Sequence, residues 1–177
     1  STYNWYWLVD GLQRAGFNVK LANTVAMKKY DGLKHSNDET DAQYLAHMLR
    51  LNILPTGTIL LPEQRAIRDL ARKRLQLVRS RTSHILAIEN IAARQQAIKI
   101  NSNQVKRLQA EDVDKLPLPA DVALAINSNL AVVHTLSEQI TRLENRLQEE
   151  MSQRAEYDLL LSIPGIGRIL AVIILLE

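Results

Sequence analysis

The chain contains no cysteine. That excludes disulfides and thiolate metal sites, and it fits a reducing cytoplasm. No apolar run approaches the roughly 20 residues of a membrane-spanning helix. The closing "ILAVIILLE" is too short for one, so no membrane partner is expected. The opening "STYNWYWLVDG" lacks the basic start and continuous apolar stretch of a secretion signal. Repeats and low-complexity tracts are missing too. The first residue is Ser rather than Met, and the last ones stop inside an apolar pattern. An internal fragment of a longer protein is the expectation.

What remains is 177 residues, enough for one substantial domain or two small ones. The net charge is only +3, yet the cations are unevenly placed. "RAIRDLARKRLQLVRSR", Arg65 to Arg81, carries seven Arg or Lys against one Asp. Its members Arg65, Arg68, Arg72, Lys73, Arg74, Arg79 and Arg81 suit a polyanion such as DNA or RNA. A solvated helix face would read the same way.

Glycine and proline punctuate the pattern. "YNWYWLVDGLQRAG" reads as a helix closed by Gly16, with Trp5, Leu8, Val9 and Leu12 at three- and four-residue spacing. "FNVKLAN" alternates as a short strand does. Helix, Gly and strand together make an αβ unit. "TVAMKKYDGLK" predicts a short helix and a turn at Asp31-Gly32. A helix carrying Asp38 and Asp41 runs to about Asn52, and Pro55 and Gly57 break the chain. "TILLP" is read as a short extended piece.

From Glu63 to about Ile100 there is neither Pro nor Gly, which predicts one long helix. Ile67, Leu70, Arg74, Leu77, Arg81, His84, Ile88 and Ile91 follow a three-four alternation, with three polar members, compatible with a partner helix. "INSNQ" is a possible interruption, and "KLPLPADV" breaks the helix at Pro117 and Pro119. A second long helix follows from about Ala120 to Gln153. Its seam is Leu136, Ile140, Leu143, Leu147 and Met151. Two long helices around a Pro-containing turn suggest an antiparallel coiled-coil hairpin.

Two stretches carry candidate chemistry. "SIPGIGRILA" places apolar-Pro-Gly-apolar-Gly between helices, like a helix-hairpin-helix motif. Gly165 and Gly167 let a phosphate approach the backbone, amides at the next helix start point toward it, and Arg168 adds charge. An ordinary packed helical turn is the alternative. "KHSNDETDAQYLAHMLR" holds Asp38 and Asp41 at i and i+3, on one helix face. Two carboxylates there can ligate a hard cation such as Mg²⁺. The same stretch also matches a capping box from Ser36 to Glu39. Both readings stand, and two carboxylates alone are too few for a complete metal site. The histidines His35, His47, His84 and His134 are scattered and read as surface or packing residues.

In order, the aromatic helix, "FNVKLAN", "GLKHSNDETDA…LA..LR", a long helical insertion and "LLLSIPGIGRILA" resemble the DEDD-type transposases of bacterial insertion sequences, a family that includes the Piv-like DNA invertases. The resemblance covers essentially the whole chain and is strongest at Gly32 to Arg50 and Leu159 to Ala171. It implies a mainly α chain: an α/β remnant of a ribonuclease H-like (RuvC-like) domain over 1–54, a coiled-coil helical region over 62–153, and the start of a helix-hairpin-helix transposase domain over 155–177. It implies four acids, Asp-Glu-Asp-Asp, binding Mg²⁺ or Mn²⁺, with Asp38 and Asp41 as the last two. The family form has a basic residue after the first of this pair, where this chain has Glu39. The first Asp and the Glu are expected before Ser1, and the family's nucleophilic serine beyond Glu177. The implied activity is cutting and rejoining DNA, by a homo-oligomer. One branch of the family uses an element-encoded guide RNA. A Holliday-junction nuclease, or a helical nucleic-acid-binding module without catalysis, are the alternatives.

Overall fold

The computed structural model describes residues 5–27, 38–97 and 99–176. They are mainly helical and divide into two compact units, residues 1–61 and residues 62–177.

In the first unit, the elements are α1 (Tyr6–Arg14), β1 (Leu21–Ala22), α2 (Thr24–Met27), α3 (Asp38–Arg50) and β2 (Thr56–Gly57). Helix α1 stops where Gly16 takes a left-handed φ of 87°. The amide of Phe17 then bonds back to Leu12 and that of Gly16 to Gln13, each at 3.0 Å. This closes two carbonyls that the helix end would otherwise leave open. Asn52 does the same job after α3, at φ 57°, with Ile53 N–H donating to Met48 and Asn52 N–H to Leu49. An Asn tolerates that region at modest cost. Asn23 caps α2, its Oδ1 accepting from Val25 and Ala26.

The strand expected across Phe17–Asn23 is shorter than its alternation suggests. Only Leu21 and Ala22 pair, antiparallel, with Gly57 and Thr56. Among the described residues no third strand extends the ladder. The strand lies at Thr56–Gly57, just before the expected "TILLP", none of whose residues is in a strand. The Asp31-Gly32 turn, His35 and the Ser36 cap lie outside the described residues.

The second unit is built on two long helices, α4 (Pro62–Gln96) and α7 (Ala120–Met151). Pro62 opens α4 at the first helical position, where a missing N–H costs nothing. The helix ends at Gln96, short of the expected Ile100, because Ala97 turns left-handed at φ 52°. Alanine there is unusual, so the sequence carries no glycine to announce the stop. Between the long helices lie α5 (Ser102–Arg107) and α6 (Ala110–Asp114). Then come α8 (Ala155–Leu161) and α9 (Arg168–Leu176).

Helices α4 and α7 run antiparallel, as the side chains bridging them show. Arg74 donates to Glu144 at 2.8 Å, Arg81 to Ser137 at 3.2 Å, and His84 Nδ1 lies 2.9 Å from Asn129 Oδ1. The three polar members of the α4 seam therefore each meet a polar side chain on α7. This polar layer separates two apolar cores. At one end Ala71, Leu147, Met151, Tyr157, Ala171, Val172 and Leu176 pack together, so α8 and α9 share a core with the long helices. At the other end Ile85, Ile88, Val105, Val113, Ile126, Leu130 and Val133 form a second core, which seats α5 and α6. No helix among the described residues is long and apolar enough to cross a membrane.

Two outcomes test this packing. Leu147 is fully buried, so Leu147→Ala should cost about 2–5 kcal/mol. Urea unfolding of this chain measures it, and a loss near zero would mean that Leu147 is not part of a packed core. Glu144→Leu alone should cost about 1–3 kcal/mol by leaving the half-buried Arg74 guanidinium without its carboxylate. Adding Arg74→Leu should restore most of it, because an apolar pair fills the space without desolvated charge. Strictly additive losses in that cycle would show that the two side chains do not couple.

Candidate functional site

The first turn of α3 is acidic, with Asp38, Glu39 and Asp41. Their faces differ. Asp38, Asp41, Leu45 and Met48 follow a three-four-three spacing and so form one stripe along the helix. Down that stripe exposure falls from Asp38, which is exposed, through half-buried Asp41 and Leu45, to Met48 at 1%. Glu39 lies off the stripe and is exposed. The two acids predicted from the sequence therefore share a face, and that face leads into the unit's interior. They also sit at the positive end of the helix dipole, which stabilises carboxylates.

Two carboxylates on one face suit a hard divalent cation, which takes oxygen ligands and keeps some of its waters. Among the described residues no group of three or more His, Cys, Asp or Glu lies close enough to surround a metal. Asp38 and Asp41 are thus a pair rather than a full ligand set. Of the histidines, His47 lies beside Arg50 on α3, and His84 is held by Asn129.

The basic block of α4 divides by face. Arg65 is buried at 2%, and Arg68, Arg74 and Arg81 are half-buried. Arg74 and Arg81 are directed at Glu144 and Ser137 across the helix pair. Arg72, Lys73 and Arg79 are exposed. Sequence reasoning saw seven equivalent cations and missed their partners on α7. The three polar interruptions in the α4 seam were the available signal, but Glu144, Ser137 and Asn129 match them only once the register is known.

At the turn between α8 and α9, Gly165 has φ 89°, which side-chain-bearing residues rarely adopt. The Gly167 carbonyl accepts from Ala171 N–H at 3.0 Å and so opens α9. A Cβ on Gly167 would meet nothing within 4 Å. Among the described residues packing therefore does not demand glycine there. Arg168 is exposed and donates to Gln148 of α7 at 3.2 Å. Ser162 bonds back to the Leu159 carbonyl, within its own helix end.

A transposase family, designated DEDD_Tnp_IS110, matches residues 1–94. A curated protein of Pseudomonas aeruginosa described as a probable family 20 transposase is 26% identical over 171 residues, covering 94% of this chain. The chain spans about half the length of that relative, 50%. No solved structure matches. The family match covers more than half of the chain and includes the Asp38–Asp41 stripe: the chain belongs to the DEDD transposase family of the IS110 type.

Proposed function

We propose that this chain is part of a transposase that cuts and rejoins DNA strands, with Asp38 and Asp41 as two of four carboxylates binding Mg²⁺ or Mn²⁺. The observation that carries the reading is the stripe on α3. A first-turn acid needed only for the helix dipole gains the same on any face. Here both acids fall on the inward-leading one, and Asp41 is half-buried. A carboxylate held partly out of water on a rigid helix is a suitable ligand, because its orientation is set in advance. When bound, the metal supplies activation of the attacking oxygen and stabilisation of the leaving one in phosphoryl transfer. The chain's own part is to hold the two oxygen donors on a rigid helix.

Domain roles follow from the same reading. Residues 1–54 correspond to the end of a ribonuclease H-like domain, 62–153 to a coiled-coil region, and 155–177 to the beginning of a helix-hairpin-helix. Nucleic acid would meet Arg72, Lys73 and Arg79 on α4 and the Gly165–Arg168 turn. Backbone amides and cations of this kind bind phosphates and read no base sequence. A guide RNA would offer the same phosphates as DNA. Strand exchange needs more than one active site, which favours a homo-oligomer.

In the full-length protein, Asp41→Asn keeps side-chain shape and removes the charge. It should abolish cleavage of supercoiled donor DNA and weaken Mn²⁺ binding, while thermal melting stays near wild type. Asp38→Asn should act similarly, with a stability loss of about 0.3–1 kcal/mol from the helix start. Normal cleavage by the Asp41→Asn protein would falsify the metal assignment. Separately, Arg72→Ala, Lys73→Ala and Arg79→Ala together should flatten the salt dependence of duplex binding, by about 0.9 for each phosphate no longer neutralised. A salt titration with an unchanged slope would mean that this face is only solvated.

A further inference from the structure

The block at Arg65–Arg81 is not the chain's only concentration of positive charge. From Asn90 to Ala110 there are four cations, Arg94, Lys99, Lys106 and Arg107, and no Asp or Glu. Amide and hydroxyl side chains fill much of the rest: Asn90, Gln95, Gln96, Asn101, Ser102 and Asn103. Spread along an extended chain, four charges in 21 residues would mean little. The fold gathers them.

Each cation is a near neighbour in sequence of a residue in the second core. Arg94 follows Ile91 by one helical turn, Lys99 precedes Ile100, Lys106 follows Val105, and Arg107 precedes Leu108. Val105 belongs to that core, and Ile91, Ile100 and Leu108 pack against it. All four cations are therefore carried on backbone that borders this one core, at the α5 end of the helix pair. Helix α5 is fixed there at both ends. Asn101 Oδ1 accepts from the amides of Asn103 and Gln104, while Gln104 Oε1 accepts from Asn101 N–H. Val105, at 0% exposure, anchors the last turn.

All four cations are exposed. Among the described residues none of them forms an ion pair. Glu89 and Glu111 flank the segment and form no ion pair with these cations among the described residues. Asp112 accepts from Gln109 N–H and lies 3.8 Å from Lys115, and Asp114 accepts from Asn127. Beside Arg94, the side chains of Ala87, Asn90, Ile91 and Ala93 leave a shallow, open stretch of α4 surface. Concentrated, unneutralised cations interleaved with hydrogen-bonding amides fit a phosphodiester backbone, which offers regularly spaced anions and acceptor oxygens.

We infer that the α5 end of the helix pair is a second, separate nucleic-acid contact surface, made by Arg94, Lys99, Lys106 and Arg107. It rests on the reading that the chain binds nucleic acid at all. Lys73 and Arg94 both lie on α4, about 32 Å apart along it at about 1.5 Å of rise per residue. A single duplex touching both surfaces would span roughly one helical turn, about 34 Å.

The test uses this 177-residue chain, a random-sequence DNA duplex and an RNA duplex of about 30 base pairs, each long enough to reach both surfaces. Binding is followed by fluorescence anisotropy across a salt series. Four proteins are compared: wild type; the variant carrying Arg94→Ala, Lys99→Ala, Lys106→Ala and Arg107→Ala; the Arg72→Ala, Lys73→Ala, Arg79→Ala variant; and a Lys99→Arg, Lys106→Arg control. The tip variant should reduce the slope of log affinity against log salt by about 2–4 units. The Arg control should keep the wild-type slope, and melting curves should coincide. A loss on the DNA arm alone or the RNA arm alone identifies which backbone the surface meets. If wild type binds and only the α4 variant changes the slope, the second surface is overturned while the proposed function stands. If wild type binds neither duplex, the nucleic-acid reading fails, and this inference with it.

Discussion

The antiparallel register of α4 against α7 is the constraint on which the second unit depends, and the Arg74–Glu144 pair holds it. Apolar side chains alone tolerate sliding, because one leucine layer resembles the next. Arg74 and Arg81 are seven residues apart, and so are their partners Glu144 and Ser137. A slip of one heptad in one direction would bring Arg81 to Glu144 but set Arg74 against Met151. A slip the other way would set Arg81 against Leu130. Either leaves a guanidinium facing an apolar side chain, a costly arrangement once water is excluded. The polar layer thus contributes specificity of register more than net stability, as a polar residue in a helical seam often does.

Everything at the two ends of the pair follows from that register. With α4 and α7 aligned, Ala71, Leu147 and Met151 come together and leave a surface on which Tyr157, Ala171 and Val172 are buried. This positions the glycine turn between α8 and α9, and ties Arg168 to Gln148. At the opposite end Ile88, Ile126 and Leu130 make the floor for Val105 and Val113. The cations beside them are displayed as a consequence. A register-setting interaction in the middle of the unit therefore positions the glycine turn at one end and the α5 cations at the other.

The first unit shows a different economy. Among its described residues only Val9 and Met48 are buried apolar side chains, and Trp7, Phe17 and Val25 are well over half exposed. Its order comes largely from short-range devices, two left-handed helix stops and the Asn23 cap, joined by one long-range tie, the pairing of Leu21–Ala22 with Thr56–Gly57. The α3 stripe fits this local character, since a helix alone is enough to put Asp38 and Asp41 on one face.

That difference explains what was legible. Helix periodicity, the lack of Gly and Pro after Pro62, and the Pro117–Pro119 break are local features, and they located both long helices. The i, i+3 relation of Asp38 and Asp41 was equally local. Helix ends were less so: α4 stops on a left-handed alanine, Ala97, where nothing in the composition marks a stop. The strand at Phe17–Asn23 was overread because alternation reports one chain, whereas a strand needs a hydrogen-bonding partner. What the sequence by itself determined is therefore a mainly α transposase-family chain with two acids on one helical face. Only the tertiary structure decided which cations turn inward to Glu144 and Ser137 and which stay on the outer surface. Charge type is written in each residue, but its availability depends on the partner that long-range packing brings within reach.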